Sequence, residues 1–125
     1  LAEITAQSAL IARTQAQLNT ETVEKQAVIA RVEAQLRNAK ANYKRYQALY
    51  SQGAVTTADF DNKQEVFEAA QANLKAAEAQ LETTVSTLQK QIQSEKAILL
   101  KLKEVRPVDV KVALSEVEKA TVHIN

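Results

Sequence analysis

Few side chains in this chain have the chemistry needed for catalysis or metal binding. The only histidine is His123, and the chain has no cysteine. A metal site or a nucleophile–base pair requires several such groups together, so His123 is interpreted as a solvated residue. The acidic residues alternate with Lys and Arg in helical sequence, where pairing four residues apart explains them. We therefore expect no enzymatic activity, no catalytic residue, no metal ion and no cofactor.

The charge distribution excludes two further classes of function. The 16 basic and 15 acidic residues are interspersed and leave a net charge of +1. A nucleic-acid binder needs a basic face along the phosphate backbone, and the chain has none. No apolar run reaches the roughly 18 residues of a membrane span, and no signal peptide is recognisable. Nucleic-acid binding and direct membrane insertion are therefore not expected.

The composition is typical of long helices. The chain has one Gly, one Pro and only 4% aromatic residues, and Ala, Gln, Glu, Lys and Leu dominate. Such a composition favours a coiled coil over a globular core. The sequence therefore predicts an all-α protein.

Two apolar stripes, one on each side of a short turn-forming segment at 51–57, predict the architecture. Each stripe repeats at alternating spacings of three and four residues, which indicates a heptad seam. With Tyr43 and Tyr50 as a positions, the seam extends back to the amino end through polar residues: Ser8, Gln15, Thr22 and Lys25. Because the connection is short, the helices must run antiparallel. The sequence thus predicts a long two-helix coiled-coil hairpin, with arms of about 75 Å at 1.5 Å per residue.

The tip of the hairpin has well-defined turn chemistry. Gly53 suits the left-handed position that ends a helix, and Thr56 suits the N-cap of the next helix. Val55 and Phe60 have the spacing of a hydrophobic staple, and Asp59 that of a capping box. We predict helices at 2–52 and 57–104, so that arm one is 1–52, the tip 53–56 and arm two 57–104.

Pro107 predicts the end of the second arm. Proline lacks the amide donor and disfavours helical geometry at the preceding residue. We therefore expect a helix break there and a short third helix at 108–123, in an extension reaching residue 124. About 18 residues after Pro107 have no opposite arm, which indicates that the chain is a fragment of a larger protein.

Two segments carry a family resemblance. Residues 34–56, which read AQLRNAKANYKRYQALYSQGAVT, resemble the hairpin tip of periplasmic membrane fusion proteins, the HlyD/AcrA-like adaptors of tripartite efflux pumps. Residues 104–110, EVRPVDV, are similar to those of the DevB-type adaptors of cyanobacterial ABC exporters. The resemblance covers essentially the whole chain. It implies further lipoyl-like, β-barrel and membrane-proximal domains and an inner-membrane anchor, none of which is in this sequence.

The resemblance also implies partners and site residues. In the family, an Arg, a Leu and a Ser at the tip dock to a TolC-like outer-membrane channel; here they correspond to Arg45, Leu49 and Thr56, with Gly53 and Val55 forming the turn. It further implies a periplasmic location, an inner-membrane ABC-type transporter as a second partner, and side-by-side assembly into a ring, hexameric by analogy.

Each tip residue also has a purely structural interpretation. Thr56 would serve as an N-cap in any hairpin, and Leu49 would widen the apolar stripe. Arg45 has no acidic residue four positions before or after it, although Glu65 across the hairpin is a possible ion-pair partner. The alternative function is accordingly a coiled-coil spacer or tether that docks to no channel.

Overall fold

A computed structural model of the chain describes residues 1–124, with side chains described for residues 1–105. It contains two α-helices, α1 at Ala2–Ser51 and α2 at Thr57–Ile124, and no strand among the described residues. The two helices pack together as a hairpin, so the predicted all-α two-helix fold is confirmed. No described helix has a stretch apolar enough to cross a membrane.

The predicted break at Pro107 is wrong. α2 continues through Pro107 to Ile124, so there is no separate third helix at 108–123. Proline removes the hydrogen bond that its own nitrogen would donate to the carbonyl of Lys103, and its ring crowds that carbonyl, at a cost of about 3 kcal/mol, but its fixed φ is compatible with a helix. The good helix formers on both sides, such as Leu102 and Ala113, preserve the remaining bonds.

The chain divides into two units, which we call the tip unit (Leu18–Ser86) and the terminal unit (Leu1–Gln17 with Thr87–Asn125). In the tip unit, the most buried side chains belong to Val32, Ala39 and Ala70. In the terminal unit they belong to Ile11, Leu88 and Ile92, together with the polar residues Thr14 and Glu95. Each unit therefore has a narrow core along the line where its two helices meet.

The seam of α1 in the terminal unit differs by one residue from the strict heptad. Ser8 and Gln15 are exposed, whereas Gln7 is half-buried and Thr14 is only 2% exposed. An α-helix with 3.6 residues per turn drifts by about 20° per heptad. Over the four heptads from Tyr43 back to Gln15 the drift reaches about 80°, which brings Thr14 into the seam and moves Gln15 out of it.

Candidate functional site

The turn between the helices is fixed by backbone hydrogen bonds at the end of α1. The N–H of Ala54 donates to the carbonyl of Leu49 at 2.8 Å, and the N–H of Gly53 donates to the carbonyl of Tyr50 at 3.0 Å. This pair of bonds is the Schellman motif, which needs a left-handed residue after the helix. Gly53 supplies it with a φ of 71°. The predicted role of Gly53 is thus confirmed, and α1 ends one residue earlier than expected.

Thr56 caps the second helix. Its Oγ1 accepts a hydrogen bond from the N–H of Asp59 at 3.1 Å, and its carbonyl accepts one from the N–H of Phe60 at 3.1 Å. Val55 and Phe60, which flank the cap at staple spacing, are both half-buried. The N-cap prediction is therefore confirmed. Because the capping oxygen acts as an acceptor, the hydroxyl proton of the exposed Thr56 is still available to a partner.

Four aromatic side chains stack on one another between the two helices beside the turn, and we call them the aromatic ladder: Tyr43, Tyr50, Phe60 and Phe67. The ring of Phe60 stacks on Tyr43 and on Tyr50, with centroids 5.7 and 4.9 Å apart, and Phe67 stacks on Tyr43 at 5.2 Å. Offset aromatic pairs of this kind contribute about 0.5–1.5 kcal/mol beyond their buried area. The apolar pattern of the sequence assigned these residues to the apolar stripes of the two helices, but it did not predict that their rings stack in one continuous series. The ladder joins the ends of both helices near the turn.

Polar contacts strengthen the same region. The hydroxyl oxygens of Tyr50 and Thr57 lie 3.2 Å apart, across the turn. The Nζ atom of Lys63 lies 5.1 Å from the ring centroid of Tyr46, which is a cation–π distance. Side chains of both helices therefore fix the conformation of the turn, and the exposed residues around the turn have defined positions.

Arg45 and Leu49 lie one turn apart on α1, and their surroundings differ. Arg45 is exposed, and its guanidinium has no hydrogen-bond or ion-pair partner among the described residues, including Glu65. Leu49 is half-buried, so part of its side chain packs in the hairpin and part faces outward. An unpaired guanidinium can bind a carboxylate or a backbone carbonyl of a partner. The docking roles of Arg45, Leu49 and Thr56 themselves stay predictions.

A shallow groove of about 370 Å³ lies farther from the turn in the tip unit, where the facing seam residues are Ala39 and Ala70. Small seam residues leave the space unfilled. The remaining lining is amide or apolar and carries no charge: Gln35, Asn38, Asn42, Val66, Ala69 and Asn73. Among the residues with described side chains, no group of His, Asp or Glu could hold a metal ion. The side chain of His123 lies outside the described residues.

A buried polar cluster in the terminal unit was missed by the sequence reasoning. Glu95 is 6% exposed, and its Oε1 accepts hydrogen bonds from Thr14 Oγ1 at 2.9 Å and from Gln91 Nε2 at 3.1 Å. Gln7 Nε2 donates to the carbonyl of Glu95 at 2.9 Å. Glu95 Oε2 is buried without a partner. The spacing of Glu95, three residues after Ile92, was the signal that could have revealed it.

Comparison with known proteins agrees with the hairpin. The family model described as the YBHG alpha-helical hairpin domain matches residues 1–118, which is nearly the whole chain. No curated protein and no solved structure gives a significant match.

Proposed function

The chain belongs to the family of the YBHG alpha-helical hairpin domain, found in membrane fusion and adaptor-like proteins, and we propose that its tip docks to a TolC-like outer-membrane channel. The proposed protein is a periplasmic adaptor, anchored in the inner membrane through parts outside this sequence. It links an ABC-type transporter to the channel and carries out no catalytic step. The resemblance of residues 104–110 supports a DevB-type adaptor.

The observation that carries the proposal is the surface at the turn. Arg45 presents a guanidinium without a partner among the described residues, and Thr56 keeps a hydroxyl proton after capping α2. The turn that displays them is held by the Schellman motif and the aromatic ladder. A preformed surface loses little conformational entropy on docking, which favours binding at a tip of small area.

Site-specific crosslinking in cells tests the proposal. A photoreactive amino acid is placed at Ala48, which is exposed one turn before the end of α1, and in a second strain at Ala79, exposed on α2. We expect an adduct with an outer-membrane protein from position 48, identified by mass spectrometry, and none from position 79. The absence of any adduct from position 48, or the same adduct from both positions, would overturn docking and favour the spacer.

A further inference from the structure

The groove in the tip unit, which we call the amide groove, is built by the same spacing on both helices. Its lining residues occupy positions i, i+3, i+4 and i+7 of each helix, which is the spacing of one helical face: Gln35, Asn38, Ala39 and Asn42 on α1, and Val66, Ala69, Ala70 and Asn73 on α2. Ala39 and Ala70 are buried and form the floor. Seven residues of helix rise by about 10 Å, so the groove is about 10 Å long.

The two walls of the amide groove differ in chemistry. On α1 the wall consists of the carboxamides of Gln35, Asn38 and Asn42. On α2 it consists mainly of Val66, which is 48% exposed, and Ala69. None of the lining residues is charged, although 25% of the residues in the chain are. A charged ligand would lose hydration here without gaining an opposite charge, so the groove favours a neutral ligand.

The carboxamides of the groove are not used within the hairpin. Three of the six asparagines of the chain line it, with Gln35 as a fourth carboxamide. None of these four side chains forms a hydrogen bond with another described residue, although Asn42 is half-buried. Asparagine is also a weaker helix former than alanine. Each carboxamide therefore offers donors and an acceptor to a ligand, from positions that two helices hold in place.

The separation of Asn38 and Asn42 matches the repeat of an extended peptide. Four residues of α1 rise by about 6 Å. In an extended chain every second residue directs its N–H and C=O to the same edge, and this repeat is about 6.6 Å. One carboxamide can accept from the N–H and donate to the C=O of the same residue. Asn38 and Asn42 can thus pair with two alternate residues of one strand.

We propose that the amide groove binds an extended, uncharged peptide segment through its backbone. Asn38 and Asn42 pair with alternate residues, whose side chains lie on the floor, and Asn73 reaches the opposite edge of the strand. Because the groove is shallow, the side chains on the floor are small. A length of about 10 Å accommodates about three extended residues. This binding does not depend on docking at the turn.

A helical partner fits the groove less well than an extended one. The backbone groups of a helix are bonded within the helix, so they would leave the carboxamides of α1 unpaired. An extended segment brings free N–H and C=O groups along its edge. Since a few hydrogen bonds must offset the lost freedom of the peptide, we expect a dissociation constant on the order of 1 mM for a short peptide.

Nuclear magnetic resonance titration of the full chain tests the proposal. The probe is the neutral peptide acetyl-Ala-Ser-Ala-Ser-Ala-amide, which places small alanines on one side of the strand. We expect saturable shifts of the side-chain NH₂ signals of Asn38 and Asn42. The signals of Asn19 and Asn62, which are exposed outside the groove, should not move.

Two further probes separate backbone recognition from other binding. The same peptide with its alanine nitrogens methylated lacks the N–H donors and should bind at least several-fold more weakly. Triacetylchitotriose carries acetamide groups on a sugar chain without the repeat of a peptide backbone, and it should cause no saturable shift. Equal binding of the methylated peptide, or tighter binding of the sugar, would overturn the proposal.

Asparagine variants identify the binding residues. Asn38→Ala with Asn42→Ala should weaken peptide binding at least about tenfold, since two hydrogen-bonded pairs are lost. Asn19→Ala with Asn62→Ala is the matched control and should leave binding unchanged. Alanine favours helix in both pairs, so circular dichroism should show folded chains. Unchanged binding by the first pair, or an equal loss in the control, would contradict the assigned contacts.

Filling the groove gives an independent test. Ala69→Leu places a larger side chain in the wall from an exposed position, outside the buried seam, and should abolish the peptide-induced shifts. Ala72→Leu, also exposed but outside the groove, is the control and should bind the peptide normally. Full binding by a folded Ala69→Leu chain, or the absence of any saturable shift in the unchanged chain, would overturn the proposed site.

Discussion

The buried pair Thr14 and Glu95 gives a quantitative prediction for the terminal unit. The Thr14 hydroxyl has one proton and two acceptors within reach, Glu95 Oε1 at 2.9 Å and the Leu10 carbonyl at 3.1 Å. Thr14→Val keeps the shape of the side chain but removes one of the two hydrogen-bond donors to the carboxylate of Glu95, a residue that is only 6% exposed. A hydrogen bond to a charged group is worth about 1.5–3 kcal/mol, so we expect the free energy of unfolding to fall by about that amount.

The same change should have a much smaller effect without the carboxylate. Glu95→Leu removes a buried oxygen that has no partner, Oε2, and adds apolar contact, so it should not destabilise the chain. In that background Thr14 retains its bond to Leu10, and Thr14→Val should cost about 1 kcal/mol or less. The double-mutant cycle should therefore give a coupling free energy of about 1–2 kcal/mol.

Urea unfolding followed by circular dichroism measures all four variants of this cycle. Gln15→Val is the matched control: Gln15 is exposed, so the change should shift stability by less than about 0.5 kcal/mol. The strict heptad predicts the reverse, with Gln15→Val stabilising and Thr14→Val neutral. That reversed result, or additive effects of Thr14→Val and Glu95→Leu, would refute the assignment of the seam.

Three further predictions concern the turn and α2. Gly53→Ala should destabilise the chain by about 1 kcal/mol in urea unfolding, because Gly53 has a φ of 71°, a left-handed conformation that disfavours residues with a Cβ. An added Cβ would meet no other atom, so no steric cost adds to this conformational cost. An unchanged free energy of unfolding would contradict the left-handed turn. Phe60→Ala should cost about 2–4 kcal/mol, because it removes both the apolar area of the ring and its stacking on Tyr43 and Tyr50. Phe60→Leu restores most of the apolar area but not the stacking, so it should still cost about 0.5–1.5 kcal/mol per lost aromatic pair. A Phe60→Leu variant as stable as the unchanged chain would show that stacking contributes nothing. Pro107→Ala should stabilise the chain by up to about 3 kcal/mol while leaving the helical circular dichroism signal nearly unchanged, since Pro107 already lies inside the continuous helix α2; a marked rise in the signal would indicate a helix broken at Pro107.

The fold was predictable because local signals and the apolar pattern agree. The turn residues Gly53 and Thr56 have strong positional preferences, and the two stripes have the same period. The break at Pro107 was predicted wrongly because a single missing hydrogen bond was given more weight than the helix formers around it. The Thr14 seam position was missed because the strict heptad ignores the drift of a helix with 3.6 residues per turn.

The candidate site was less accessible to sequence reasoning. The N-cap at Thr56 follows from residue type and spacing alone. The lack of a partner for Arg45, however, depends on the distances to neighbouring side chains such as Glu65, which spacing along the helix does not determine. The stacking of Phe60 between two tyrosines likewise depends on the relative rotation of α1 and α2. Pairwise geometry across the hairpin was therefore the information that the sequence pattern lacked.

Capture of the outer-membrane channel by tip variants in cells tests the central claim most directly. Arg45→Ala removes the unpaired guanidinium, and Thr56→Asp keeps an acceptor for the N–H of Asp59 while adding charge at the tip. Arg31→Ala, an exposed change elsewhere on α1, is the control. We predict that both tip variants lose most of the channel that co-purifies after crosslinking, with thermal melts and the control unchanged. Full capture by both correctly folded variants would contradict docking through this tip.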